Sequence, residues 1–298
     1  MHNRFNRLDA ALLATIVLMA VGTSARAGLV TINANGSMPG DDFTNATTSS
    51  TTPATPGALL GATGWTYNNV RNNGHVGVNT NLPRSGNGSA WFNGTQGPAG
   101  NSSKADIEFL NAPGGTLTSM GTLGTLTSLS YDWYKSSVSA ASQHAVLRLY
   151  VDADGNMGTA NDRGYLVYER AYQTNNSVPT DQWNTDDLMS ANLWQVRFGF
   201  GNFDTSPNWK PVSVWGSASG YTPTTPANGL HLDQNTAIYG LSAGIGSGWN
   251  TFVGAVDNIT IGFNNADPTV FNFEVVPEPA SLSLMALGAL ALIRRRRA

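Results

Sequence analysis

Apolar and polar residues alternate with a period of two through most of the chain. Leu129, Tyr131 and Trp133 fall on one side, with Ser130 and Asp132 on the other. Ala145, Leu147, Leu149 and Val151 share a face opposite Arg148 and Asp152. Tyr165, Val167 and Glu169 alternate with Leu166, Tyr168 and Arg170, and Trp194, Val196, Phe198 and Phe200 alternate with Gln195 and Arg197. Val253, Ala255, Asp257, Ile259, Ile261 and Phe263 form one long row, and Phe271, Phe273 and Val275 the last. This is the strand signature. Shorter strands are predicted at Leu29–Asn33, Ser89–Asn93 and Ala105–Leu110, with Gly, Asn and Pro turns between them. Between Gly28 and Phe273 no stretch keeps a helical period over three turns. The pattern predicts an all-β chain folded as an antiparallel β-sandwich.

The two ends break this pattern. Arg4 and Arg7, the apolar run Ala10–Val21 and Ala25-Arg26-Ala27 have the layout of a secretory signal peptide, with cleavage expected after Ala27. At the other end Pro277-Glu278-Pro279 stops any helix. Ala280–Ile293 follows as an apolar helix candidate, and Arg294, Arg295, Arg296 and Arg297 close the chain. Fourteen residues of helix reach about 21 Å at ~1.5 Å per residue, short of a hydrocarbon core about 30 Å thick. Arginines placed directly after it keep that end cytoplasmic, so the body lies outside. The expected domains are a signal peptide at 1–27, a β-sandwich at 28–274 and a sorting and anchor segment at 275–298. Thr47–Gly57 is low in complexity and reads as a surface spacer.

Charge narrows the partners. Between residues 28 and 274 stand nine basic and 17 acidic residues. A body this acidic has no basic face for phosphates, which argues against nucleic acid. Cysteine is absent, so thiol catalysis and thiolate metal sites are excluded, and the exported core holds without disulfides.

The tail resembles the PEP-CTERM sorting signal of exported bacterial proteins, in its Pro-Glu-Pro motif, short apolar helix and Arg-rich terminus. The resemblance implies export, transient inner-membrane association through the helix, and processing by an exosortase-type membrane enzyme near Pro277-Glu278-Pro279. It also implies a setting rich in exopolysaccharide. The body is similar to concanavalin A-like and laminin-G-like jelly rolls, on Leu129–Tyr134, Leu149–Asp152 and Val256–Gly262 ahead of the terminal strand.

The most specific polar cluster is Asp152, Asp154 and Asn156, with Asp162 shortly after. Carboxylates at alternate positions of a turning loop can converge on a hard cation, which makes calcium the one candidate cofactor. Met157 stands where an EF-hand has glycine and Arg163 where it has its bidentate Glu, and the flanks read as strands. The competing reading is a hairpin loop in which Asp, Asn and Gly serve the turn. Trp133 and Trp194 lie in strand patterns and are expected in the core. Trp209, Trp215 and Trp249 sit among Gly, Pro, Ser and Asn and are the candidates for exposed sugar-stacking platforms. The body's glutamates, Glu108, Glu169 and Glu274, are far apart in sequence, and the Glu-x-Asp strand motifs of sandwich-fold glucanases are absent. Asp41-Asp42 and Asp186-Asp187 read as exposed turn residues, and His75, His144 and His231 as scattered surface or strand residues. No catalytic residue is assigned. The expected protein is a non-enzymatic surface or extracellular-matrix protein. The alternatives are a lectin-like carbohydrate-binding module, with or without calcium, and a glycan hydrolase.

Overall fold

The computed structural model describes residues 28–44, 58–94, 103–173, 176–205, 207–246, 249 and 251–276. The expected signal peptide, the spacer at 47–57 and the tail from Pro277 onward lie outside these residues.

The chain begins with β1 (Gly28–Ser37), β2 (Phe43–Thr44), β3 (Ala58–Leu59), β4 (Trp65–Arg71), β5 (His75–Asn79) and β6 (Ser89–Gly94). It continues through β7 (Lys104–Leu110), β8 (Gly121–Thr122), β9 (Leu126–Lys135), β10 (Val146–Asp152), β11 (Arg163–Tyr168) and β12 (Trp183–Asp187). The last strands are β13 (Asn192–Arg197), β14 (Gly201–Phe203), β15 (Lys210–Pro211), β16 (Ala237–Gly244), β17 (Phe252–Phe263) and β18 (Thr269–Val276). The one α-helix among the described residues is a single turn, Val212–Trp215.

These strands make two sheets. The first runs β1-β18-β17-β6-β5-β2, with β9 joined to both β17 and β12. The second runs β14-β13-β11-β10-β16-β7-β4-β3, with β15 on β13 and β8 on β16. Pairing is antiparallel except where β1 runs parallel to β18. The expected all-antiparallel arrangement therefore has one parallel pair, between the first and last described strands.

The two sheets face each other across an aromatic core. Trp65 of β4 meets Phe271 and Phe273 of β18 edge-on, with centroids 5.2 and 5.0 Å apart. Tyr131 of β9 meets Tyr168 of β11 at 6.1 Å. Leu129, Tyr131 and Trp133 point inward together, as do Leu147, Leu149 and Val151. The predicted row along β17 does not hold. Phe252 and Val256 face the core at even positions, and Ile259 and Ile261 at odd ones. The pairing of β17 with β9 shifts between Asp257 and Thr260, and Asn258 between them has a φ of 49°. An extra residue at that bulge exchanges the faces.

Asp186 is not an exposed turn residue. It lies on β12, 7% accessible, and gathers donors from both sheets. Its Oδ2 accepts from Trp133 Nε1 at 2.9 Å and from the Tyr168 hydroxyl at 2.7 Å, and its Oδ1 pairs with Arg170. Asp41 is likewise employed, accepting from the amides of Asn35 and Gly36 and from the Tyr67 hydroxyl. His144 is fully buried, 3.0 Å from the Tyr131 hydroxyl and edge-on to Trp133 and Tyr168. Burial pushes its pKa down to about 3, so it is a neutral core residue at pH 7.

Removing the Asp186 carboxylate strands two buried donors and a part-buried cation. We expect Asp186→Ala to destabilise the protein by about 3–5 kcal/mol in urea denaturation, and Asp187→Ala, on the exposed face of the same strand, by less than ~0.5 kcal/mol. Equal effects would contradict this placement.

Candidate functional site

The second sheet turns one face to the core and the other away from it. On that outer face the strand registers align a row of side chains: Glu108 of β7, Ser242 of β16, Arg148 of β10, Val167 of β11 and Trp194 of β13. The neighbouring row places Asp106 beside Gly244 and Gly244 beside Val146. A glycine is required there, because a Cβ on Gly244 would stand 2.3 Å from Asp106 Oδ1. The missing side chain makes room for the carboxylate.

Asp106 is the centre of a buried ionic cluster. Its Oδ1 accepts from Lys104 Nζ at 2.5 Å and from Arg148 Nη1 at 3.1 Å, and its Oδ2 accepts from Asn69 at 2.8 Å. Arg148 also donates to Ser242 Oγ at 3.2 Å. Lys104 reaches the Ile245 carbonyl, and Arg71 reaches Asn69. Burial opposes ionisation of Asp106, but Arg148 and Lys104 outweigh it and hold the carboxyl below its usual range. Burial, with Arg148 adding repulsion, pushes the Lys104 amine down to about 7. Glu108 is fixed by Asn68 Nδ2 at 2.7 Å and by the Tyr150 hydroxyl. Its pKa is raised by burial, as is that of Glu169.

Over this cluster lies a cleft of about 190 Å³, lined among others by Asn69, Arg71, Lys104, Asp106, Arg148, Tyr165, Glu169, Trp194 and Asn202. At ~30 Å³ per water, that is the space of about six waters, well below the ~300 Å³ of a drug-sized site. Donors and acceptors converge on the cleft beside a half-exposed tryptophan face.

Trp194 therefore lines the outer cleft and is not a core residue. The reason is its strand parity: Leu193 and Gln195 are the inward residues of β13, and Gln195 is bound to both the amide and the carbonyl of Leu230. Trp215 is corrected in the opposite sense. It is fully buried, and its Nε1 donates to the carbonyls of Lys210 and Leu193 at 3.0 and 3.3 Å, so no ligand ring reaches it. Trp249 is half-buried against Phe252 and His144. Trp209 is half-exposed and stacks on Tyr172 at 5.4 Å with an 11° tilt.

The loop between β10 and β11 brings part of the predicted acidic cluster together. Asp152, Asp154 and Asp162 each offer a carboxylate oxygen, all within 4.8 Å of one another. Asn156 serves the turn as well: its backbone N–H donates to Asp154 Oδ1 at 2.7 Å, and its side-chain oxygen accepts from Gly158 N at 3.1 Å.

Fold and cleft together define an all-β sandwich with a small polar cleft on one outer face. The C-terminus places the chain further: residues 275–297 match the family model of the PEP-CTERM protein-sorting motif. The chain thus carries a PEP-CTERM sorting motif at its C-terminus, and the motif implies export to the cell envelope or surface and processing by an exosortase-type enzyme. Comparison with curated proteins finds no match. Among the described residues no helix is long and apolar enough to cross a membrane; the sorting residues Pro277, Glu278, Pro279 and Arg294–Arg297 lie outside them.

The cleft carries a pH signature. An amine whose folded pKa lies below its unfolded value of 10.5 binds fewer protons folded than unfolded in the interval between, so stability rises with pH there. We expect stability to climb from pH 7 to about 9, below the tyrosine range near 10, and the climb to be reduced in Lys104→Met, the remainder coming from Lys135, whose amine burial also lowers. The same climb in both proteins would contradict a buried, strained lysine.

Proposed function

We propose that this is a non-enzymatic protein of the cell surface or extracellular matrix that holds a polysaccharide through the outer face of its second sheet. The organisation is a removable signal at 1–27, a jelly-roll body at 28–274 and a sorting segment at 275–298 whose helix holds the chain briefly in the inner membrane. The observation that carries binding is the Trp194 and Tyr165 cleft, with its fixed donors Asn69, Arg71 and Arg148. Sugar rings are recognised by an apolar face for the ring and fixed polar groups for the hydroxyls. The acids support holding over cutting: Asp106 is committed to Lys104 and Arg148, and Glu108 to Asn68 and Tyr150.

One observation favours a second reading, that of a glycan hydrolase. Glu169 and Asp106 line one cleft, the first carboxyl with its pKa raised and the second with its pKa lowered. Environments that push two carboxyls apart in this way suit a general acid and its partner.

A glycan array with the purified exported protein separates the readings. We expect binding to polysaccharide fragments, a loss of at least tenfold in Trp194→Ala and Arg71→Ala, and no shortening of the bound glycans. Chain cleavage that Glu169→Gln abolishes would replace the first reading by the second. Binding unchanged in Trp194→Ala would remove the cleft from the account, and intact protein found in the cytosol would remove export.

A further inference from the structure

We infer that the β10–β11 loop is a binding site for a hard divalent cation of calcium size, held by Asp152, Asp154 and Asp162. The inference does not rest on the polysaccharide reading. β10 carries Val146 and Arg148 in the cleft and ends at Asp152, about 20 Å from Val146 at ~3.3 Å per residue.

Two independent observations meet here. The first is the convergence of three carboxylates, with oxygens within 4.8 Å of one another. Ligand oxygens around calcium lie about 2.3–2.6 Å from it, so oxygens up to ~5 Å apart fit one coordination sphere. The second is the state of Asp152. The residue is fully buried; its Oδ2 is taken by Arg163 Nε at 2.9 Å, while Oδ1 is buried without any hydrogen-bond donor. A buried carboxylate oxygen with no donor is costly, and a cation supplies the missing partner.

The local charges point the same way. One guanidinium, Arg163, faces three carboxylates, and it is divided between Asp152 and the Met157 carbonyl at 2.7 Å. Arg197 reaches the loop only at the Asn161 carbonyl, at 3.3 Å. Asp154 and Asp162 are held in place by the loop backbone: Asp154 Oδ1 accepts from the Asn156 amide at 2.7 Å, and Asp162 Oδ2 from the Asp154 amide at 2.9 Å. Asp154 thus spends one oxygen on shaping the loop, and the second oxygen of Asp162 meets only the Thr159 hydroxyl, at 3.5 Å. The donor set offers oxygen alone, which selects calcium or magnesium over zinc or copper. The loop's exposure and its irregular backbone suit the larger ion, which tolerates irregular coordination. Arg163, standing where an EF-hand would place a chelating Glu, instead neutralises one oxygen of Asp152, so the site holds the ion with a reduced charge. A modest affinity follows, in the ~0.1–1 mM range of extracellular calcium modules. The ion would fix the loop that forms one wall of a shallow surface depression beside Arg197 and His231.

The test is calorimetric titration of the full exported protein with calcium chloride, with magnesium chloride as comparison, alongside thermal denaturation at each calcium concentration. We expect one saturable site with a Kd below about 1 mM, a melting temperature that rises with calcium, and magnesium weaker by at least tenfold. Asp154→Asn, whose side chain is exposed and does not threaten folding, is expected to weaken calcium at least tenfold while leaving the melting temperature in chelator unchanged. Asp152→Asn is expected to raise stability in chelator and to abolish binding. No saturable heat up to about 5 mM calcium, well past the affinities of extracellular modules, would overturn the proposal. Calcium binding that Asp154→Asn leaves intact would overturn it equally.

Discussion

Two sheets pressed together with no disulfide cross-link between them are the constraint on which everything else depends. With no cysteine in the chain, nothing restrains the unfolded state by cross-linking, and stability comes from burial. Large aromatics carry it: Trp65, Trp133, Trp215, Tyr67, Tyr131, Phe92, Phe252 and Phe273 are all but inaccessible. Burying one face of each sheet already specifies strand register, because a one-residue slip turns the apolar set outward. Buried and half-buried carboxylates that accept from fixed partners on other elements add specificity. Asp186 joins β12, β9 and β11. Asp257 accepts from the amides of Phe273 and Ser85 at 2.9 and 3.2 Å. Glu274 accepts from the amides of Asn87 and Gly88 at 2.7 and 3.0 Å. Each ties a loop or strand of one region to a strand distant in sequence.

The same chemistry has another outcome on the outer face of the second sheet. There the buried charges gain no apolar cover from a partner sheet, so they cover one another. Asp106, Lys104 and Arg148 form a closed ionic floor, stiffened by Asn69, Ser242 and the Ile245 carbonyl. A buried ion cluster adds little stability over an apolar one of equal volume. Its effect is order: each polar group is fixed in place, which on the proposed reading would lower the ordering cost of binding.

What was legible in the sequence was local. The tail motif is linear, so it could be read directly. The Asp152 loop joins adjacent hairpin strands, so its acids meet without any knowledge of topology. The cleft was not legible. It needs β7, β16, β10, β11 and β13 side by side, an order in which β16 comes from some 90 residues downstream of β10. That order brings Glu108 and Glu169, distant in the chain, onto one sheet face. The tryptophans misled for a related reason. Period-two alternation shows that Trp194 and Gln195 face opposite ways, but not which way the core lies. Hydrophobicity favoured Trp194 inside, and the Leu230 backbone claims Gln195 there instead. Trp215 sits in loop-like sequence, yet the helical turn Val212–Trp215 and two carbonyl acceptors draw it inside. Asn258 reverses the parity of β17 through a positive φ that its residue type permits without announcing.

The central claim is that ligand recognition resides in the cleft over Asp106 and Arg148, and not among the loop tryptophans. The most direct measurement is the set of indole N–H resonances of the eight tryptophans in a nuclear magnetic resonance titration, with fragments of the producing cell's own extracellular polysaccharide. The account predicts a saturable shift at Trp194, with Trp209 and Trp249 unmoved. Shifts at Trp209 or Trp249 with Trp194 silent would contradict it.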